Sequence, residues 1–422
     1  MPLARFPMHP PTLLFIVALV SSVCVELWLL ARQVRAVRAH RDHVPLPFAA
    51  AIKPEEHARA ADYTVAQARL ASVERIAAAA LALALTVGGG IAAMDEASWR
   101  LGLGALPRQL AVVGSFGLLM GACGLPFEAW RTFLVEARYG FNRTTPALFA
   151  VDALKGLAVG AALMLPLAAL VLWLMRRTGE SWWLYAFGAW AAFSLLVGWA
   201  WPRIVAPLFN RFSELGPGPL RDGVATLARR CGFEPRGVFV MDGSRRSTHG
   251  NAYFTGFGRN KRIVFFDTLL ATLAPAEVEA VLAHELGHYR LRHVALRLGV
   301  SLVAGLAAFA LVAWLARQSW FQPALGVPRG GPHTLLLLAA TAAPPFLFWL
   351  RPLLALVSRR HEFAADRFAA FHADAGALAD ALVKLYRDNA ATLTPDRIYA
   401  AFHASHPPAL ARIARLVPGR HA

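Results

Sequence analysis

Apolar residues in this chain gather into long runs rather than into the short alternations of half-buried strands. The runs lie at 12–30, 76–94, 109–125, 157–175, 182–201, 296–315 and 334–350. Each is near the roughly 20 residues a helix needs to cross the hydrocarbon core of a bilayer. Trp28, Trp130, Trp182, Trp183, Trp201, Trp314 and Trp349 stand near their ends, with Arg176, Arg177 and Arg317 close by. These residue types favour the membrane interface, so the pattern predicts seven transmembrane helices. Gly121, Gly124 and Pro126 interrupt the third run and make it the least regular. Arg5 ahead of the first run also suits a signal peptide. The apolar core is long, however, contains Glu26 and lacks a convincing small-residue cleavage site, so a retained helix is expected.

Between the fifth and sixth runs the pattern changes. Gly216-Pro217-Gly218-Pro219 reads as a turn and 220–231 as a short helix. Strands are expected at 237–241, 252–257 and 262–266, the last two joined in a hairpin near Asn260. A helix follows directly. Pro275 suits its first turn, Glu277 and Glu279 complement its N-terminal dipole, and Arg290, Arg292 and His293 suit its other end.

That helix carries Ala283-His284-Glu285-Leu286-Gly287-His288. Residues four apart share a helix face, so His284 and His288 can reach one ion at roughly 2.0–2.1 Å. Glu285 projects beside the metal, where it can take a proton from an attacking water and pass it to the leaving amine. Gly287 weakens a helix by about 1 kcal/mol relative to Ala. Crowding of the metal and packing against another helix would each explain its presence. A catalytic zinc takes a third protein ligand, and His361-Glu362-Phe363-Ala364-Ala365-Asp366 offers one. Glu362 and Asp366 share a face, so one can ligate while the other accepts the outer ring proton of a ligand histidine; Glu362 is the expected ligand. An edge strand beside such a helix can bind an extended peptide by strand addition, although an ordinary supporting sheet would look the same.

Composition agrees with the membrane reading: 57% of the 422 residues are hydrophobic and the mean hydropathy is +0.46, too apolar for an ordinary soluble enzyme. Segment 31–75 carries Arg32, Arg35, Arg38, Arg41, Lys53, Arg59, Arg69 and Arg75, whereas the next loop has only Arg100 and Arg108. The positive-inside rule puts the first loop in the cytoplasm, and with seven spans 202–293 and the C-terminal tail fall there too. All the expected ligands then lie on the cytoplasmic side. The net charge of +17 follows these loops and suits anionic headgroups; no nucleic-acid motif accompanies it, and no nucleic-acid partner is expected. Cys24, Cys123 and Cys231 are scattered, with no paired framework. Asn142-Arg143-Thr144 matches a glycosylation sequon but falls on the inside. Because the Glu285 helix runs into the sixth span and the seventh runs into the Glu362 helix, the metal is expected close to the membrane surface, within reach of substrates with an apolar anchor.

Asn251 to Gly258, Lys261 to Leu270, the HELGH core, Glu362 to Asp366 and Ser405-His406-Pro407-Pro408 together resemble the M48 zinc metallopeptidases. Seven spans and Tyr139-Gly140-Phe141-Asn142 make the chain most similar to the Ste24-type CAAX prenyl protease branch, ahead of the shorter HtpX-like heat-shock proteases. The resemblance implies a ring of membrane helices around a large chamber, capped by the zinc domain. It also implies that His284, His288 and Glu362 hold one zinc ion per chain, that Glu285 activates water and that Asp366 supports a ligand. By the same resemblance Asn251 holds substrate backbone and His406 stabilises the oxyanion. Read from its own surroundings, His406 is a turn residue before two prolines. His249 and His361 lack ligand spacing and read as structural or peripheral.

The expected fold class is an all-α polytopic membrane protein with seven transmembrane helices and a small α+β zincin-like cytoplasmic catalytic domain. Its expected divisions are 1–201 with five spans, 202–293 with the zinc helix, 294–357 with two spans, and 358–422 with the third ligand and His406. The expected function is an integral membrane zinc endopeptidase acting on lipidated or membrane-associated proteins, with HtpX-like quality-control proteolysis as the alternative. A non-enzymatic scaffold with a structural metal would have no use for Glu285. The Ala and Arg bias resembles a high-GC bacterium, which predicts a multi-pass protein of the inner membrane. Protein prenylation is not expected there, so the natural substrate would be a membrane or misfolded protein.

Overall fold

A computed structural model describes residues 9–233, 237–255 and 262–418. Its helices follow the apolar runs. The first five are α1 (Pro10–Ala39), α2 (Pro54–Leu85), α3 (Gly90–Trp99), α4 (Ala105–Trp130) and α5 (Pro146–Arg177). After α6 (Trp182–Ala200), two more long apolar helices follow the sheet, α8 (His293–Ala316) and α9 (Pro332–Leu347); α7 is the helix carrying His284, Pro275–Arg290. Among the described residues six helices are long and apolar enough to span a membrane, and a seventh span results if α2 and α3 count as one.

The second run differs from the uninterrupted helix that its apolar character suggests. It bends by 50° between α2 and α3 at Gly88-Gly89-Gly90, where Gly89 has φ +76°, a conformation cheap only for glycine. The backbone of Gly326 closes on this break: a Cβ there would lie 2.2 Å from the Thr86 carbonyl oxygen. The third run behaves in the opposite way. Gly121, Gly124 and Pro126 stay inside one helix, which continues as a π-helical turn over Arg131–Glu136. The basic segment 31–75 is also far from a loop, since α1 extends to Ala39 and α2 begins at Pro54. Both helices project beyond their apolar stretches. Within α1, Glu26 is buried beside Arg75 (3.5 Å) and His403 (3.5 Å).

Among the described residues the sheet has four strands, β1 (Phe212–Glu214), β2 (Gly237–Met241), β3 (Ala252–Thr255) and β4 (Arg262–Phe266), in the order β1-β2-β4-β3. β2 and β4 run parallel, with Val238 opposite Ile263. β3 and β4 pair antiparallel, as a hairpin requires, from Ala252↔Phe265 to Thr255↔Arg262; the expected link near Asn260 lies outside the described residues. β3 is an edge strand.

Two separated stretches of sequence supply most of the core beneath this sheet, joined by Phe48 and Ile52 from the segment between α1 and α2. Val224, Phe265, Leu282 and Leu286 come from the first, Leu378 and Ile413 from the second, all buried in one cluster. The second stretch supplies α10 (Arg351–His372), α11 (Ala375–Asp388), α12 (Arg397–His403) and α13 (Ala409–Leu416). Polar ties hold this cap to the membrane helices, three of them through charged groups or rings deep in the junction. Arg246 grips Asp152 of α5 with two nitrogens at 2.8 and 3.1 Å, and Arg32 of α1 grips Asp396 at 3.1 and 2.9 Å. The third is His249, which bonds Glu136 of the π turn (3.2 Å) and Asn389 (3.2 Å) and stacks on Phe141 at 4.3 Å. His249 is thus structural, in keeping with its lack of ligand spacing.

Candidate active site

The helix α7 begins at Pro275, and Glu277 accepts a hydrogen bond from the Ala274 amide at 2.7 Å, satisfying one of the free donors of the first turn. His284 and His288 follow one turn apart near its far end. Against them lies α10, the continuation of the last apolar helix. The two helices meet at Gly287, where a Cβ would stand 3.1 Å from Ala365 Cα and 3.2 Å from Phe368 Cβ. Of the two explanations for this glycine, close helix packing is the one found.

That approach brings Glu362 between the imidazoles. Its carboxylate oxygens lie 3.4 Å from His284 Nε2 and 3.2 Å from His288 Nε2, and the two Nε2 atoms are 3.3 Å apart. Among the described residues this is the group of side chains able to hold a metal ion, its ligand atoms all within 4.8 Å of one another. Glu362 Oε2 is buried with no hydrogen-bond partner. A buried carboxylate oxygen is costly in that state, and a cation among these donors would satisfy it. Two imidazoles and one carboxylate are also a ligand set that catalytic zinc takes.

Asp366, one turn beyond Glu362, stands 2.9 Å from His284 Nδ1. It is itself clasped by Arg412, whose Nε and Nη2 donate to its two oxygens at 2.8 and 2.6 Å. Burial works against charge on His284, but the contacts with Asp366 and Glu362 outweigh it and hold the imidazole up at about 9. The same arrangement points His284 Nε2 towards Glu362 and His288, the orientation a basic metal ligand needs. His288 has a different neighbour: its Nδ1 lies 3.0 Å from Nδ1 of His293, which stacks on His361 at 4.0 Å. His361 therefore reaches the site only through another ring.

Glu285 borders a cleft of about 270 Å³ together with Tyr253, Phe254, His288, Arg297 and His406. Burial lifts its carboxyl above the ordinary range, while His284 and His288 pull it back. A general base benefits from such a rise. His406 stands over the metal-binding group with Nε2 3.5 Å from Glu362 Oε2 and Nδ1 3.0 Å from Ser405 Oγ. Asn251 sits just before β3; its side-chain oxygen accepts from the Ala252 amide at 2.8 Å and its carbonyl accepts from Phe266 at 3.0 Å. The β3 residues that border the cleft are Tyr253 and Phe254.

Sequence reasoning missed Arg412 and the contact of His293 with His288. Arg412 lies 46 positions from Asp366, a separation that no helical period encodes. His293 carried one weak signal, since it lies five residues beyond His288 at the start of the next helix.

A second cavity, of about 740 Å³, lies among the membrane helices, with Leu81, Leu85, Phe116 and Met120 on its apolar wall and Arg75 and Arg351 at its polar part.

Comparison with known proteins covers nearly the whole chain. A family model described as CAAX prenyl protease N-terminal, five membrane helices, matches residues 33–211, and one described as peptidase family M48 matches residues 218–418. The human CAAX prenyl protease 1 homolog is 32% identical over 338 residues, covering 71% of each chain. The rice homolog is 36% identical over 293 residues, 69% of each chain. The crystal structure of S. mikatae Ste24p superposes with a TM-score of 0.89 at 27% identity, covering 97% of this chain and all of that one.

Proposed function

We propose, from the premise that this chain belongs to peptidase family M48 as a membrane metalloprotease of the Ste24 CAAX prenyl protease type, that His284, His288 and Glu362 hold one zinc ion for cleavage of membrane-associated peptides. The observation that carries this reading is the convergence of those three side chains beside the Glu285 cleft, with Glu362 Oε2 buried and without a hydrogen bond.

When bound there, zinc supplies Lewis acidity that polarises a carbonyl and acidifies water. The protein's own groups do the remaining work. Glu285 takes the proton from the attacking water as the new C–O bond forms, then delivers it to the amine nitrogen as the C–N bond breaks. Asp366, locked by Arg412, keeps His284 turned towards the ion. His406, above Glu362, donates to the oxyanion that develops at the scissile carbonyl. β3 offers an unpaired edge along which an extended substrate aligns, with Asn251 at its start holding substrate backbone and Tyr253 and Phe254 facing the cleft.

Lipidated substrates suit the apolar cavity, whose wall can take a chain that water would not. Helices carrying the metal-binding group continue into apolar spans, which supports access from the bilayer. The basic residues flanking these spans support a cytoplasmic location for the site, and the Ala and Arg bias supports a bacterial inner membrane. Cleavage of a farnesylated CAAX-type peptide by the detergent-solubilised protein tests the proposal. Cleavage is expected to vanish with a chelator and to fall by about 10²–10⁴ in Glu285→Gln, which keeps its metal. Full activity in Glu285→Gln would refute the mechanism. Cleavage of unfolded protein but of no lipidated peptide would replace the substrate class with quality-control proteolysis.

A further inference from the structure

Two arginines stand by the candidate site, and among the described residues Arg412 alone of the two has a carboxylate partner. Arg412 is committed to Asp366. Arg297 borders the same cleft as Glu285, His288 and His406, yet among the described residues no carboxylate, carbonyl or hydroxyl is bonded to it. It lies one turn beyond His293 on α8, so both share the helix face turned to the cleft, with Val294 also on the wall. An arginine near the end of a membrane helix ordinarily turns to the interface. This one does so at the mouth of the cleft, exposed, where the nearby carboxylates have other tasks: Glu362 faces the two imidazoles and Glu285 is the proposed base.

We infer that Arg297 is a specificity-determining residue that binds a carboxylate carried by the peptide substrate. This rests on the peptidase reading above and adds the charge of the substrate to it. The guanidinium is planar and permanently charged, and its parallel N–H donors match a carboxylate in a two-point contact. A dication bound at the metal-binding group would add to the attraction of the cleft for an anionic group. The carboxylate can be the substrate's own C-terminus or an acidic side chain close to the cleaved bond.

Three peptides of one sequence separate these sources: a free C-terminal acid, the C-terminal amide, and the amide with one Asn changed to Asp beside the cleavage point. Their affinities are read by fluorescence competition on the full-length, zinc-loaded Glu285→Gln protein, with Arg297 intact and as Arg297→Ala, Arg297→Gln and Arg297→Lys. At least one acidic peptide is expected to bind about 10- to 100-fold more tightly than the neutral amide, the range of a charge-assisted hydrogen bond. The ratio should fall to about one in Arg297→Ala and Arg297→Gln and remain partial in Arg297→Lys. Equal binding of all three peptides, absence of binding by both acidic ones, or a preference that survives in Arg297→Ala would overturn the inference. Cleavage by the Glu285 protein is followed in parallel. Discrimination without cleavage upholds the Arg297 subsite while refuting the peptidase reading; cleavage without discrimination refutes the subsite alone.

Discussion

Replacing Gly287 by Ala sets two opposed effects against each other. In an isolated helix the substitution would be favourable by about 1 kcal/mol. Here the added methyl meets Ala365 Cα at 3.1 Å and Phe368 Cβ at 3.2 Å, and neither can rotate away. Relief requires α7 and α10 to separate by a few tenths of an ångström. Metal–ligand distances tolerate only about 0.2 Å, and the histidines ride on one helix while Glu362 rides on the other. The overpacking itself costs about 1–3 kcal/mol, which exceeds the gain in helix propensity. Gly287→Ala is therefore expected to lower zinc affinity about tenfold or more, with Gly287→Val worse, while the protein retains its helical content. Chelator competition with a zinc-responsive dye measures the affinity, and circular dichroism monitors the fold. Unchanged or tighter zinc binding, together with a stability gain of about 1 kcal/mol, would refute the idea that helix contact at this glycine sets the position of Glu362.

Other substitutions probe the groups behind the ligands. Asp366→Asn should weaken zinc binding about 10–100-fold by removing the charge that faces the outer nitrogen of His284; an unaltered dissociation constant would exclude that support. Arg412→Ala leaves Asp366 buried without its cation and should cost about 3–5 kcal/mol of stability, read as a lower denaturation midpoint in detergent. His293→Ala should reduce zinc affinity by a smaller factor than Asp366→Asn, because a neutral ring replaces a carboxylate as the outer neighbour; an equal or larger loss would reverse that ranking.

That His284, His288 and Glu362 could come together was legible because part of the group obeys a local rule. His284, Glu285 and His288 lie within one helical repeat, and Glu362 and Asp366 within another, so periodicity alone sorts them onto faces. What joins the two helices is not periodic: the contact of Gly287 with Ala365, the clasp of Arg412 and the approach of His293 each depend on how separate helices pack. The spans were legible from apolar length, but the bend after Leu85 was hidden because Val87 and Ile91 continue the apolar run through the glycines. β1 has three residues, too few for an alternation to register. The large cavity among the helices left no mark in hydropathy, since a side chain facing a cavity and one facing lipid can be equally apolar.

The ties of Arg246 to Asp152, Arg32 to Asp396 and His249 to Glu136 make the junction between the cap and the bilayer-spanning part the stiff part of the molecule. Swinging the cap aside would break charge-assisted contacts on three different helices at once. By contrast, the most apolar stretches of the spans Ala105–Glu136, Gly179–Phe209 and His293–Ala316 bury few of their residues within the protein. Most of the surface of these spans is therefore left for lipid or for the interior of the helix ring to cover, so the medium around the protein completes its packing. Cleavage rate is expected to change with bilayer thickness and with the detergent chosen; equal rates in thin and thick bilayers would show that the protein's own contacts suffice.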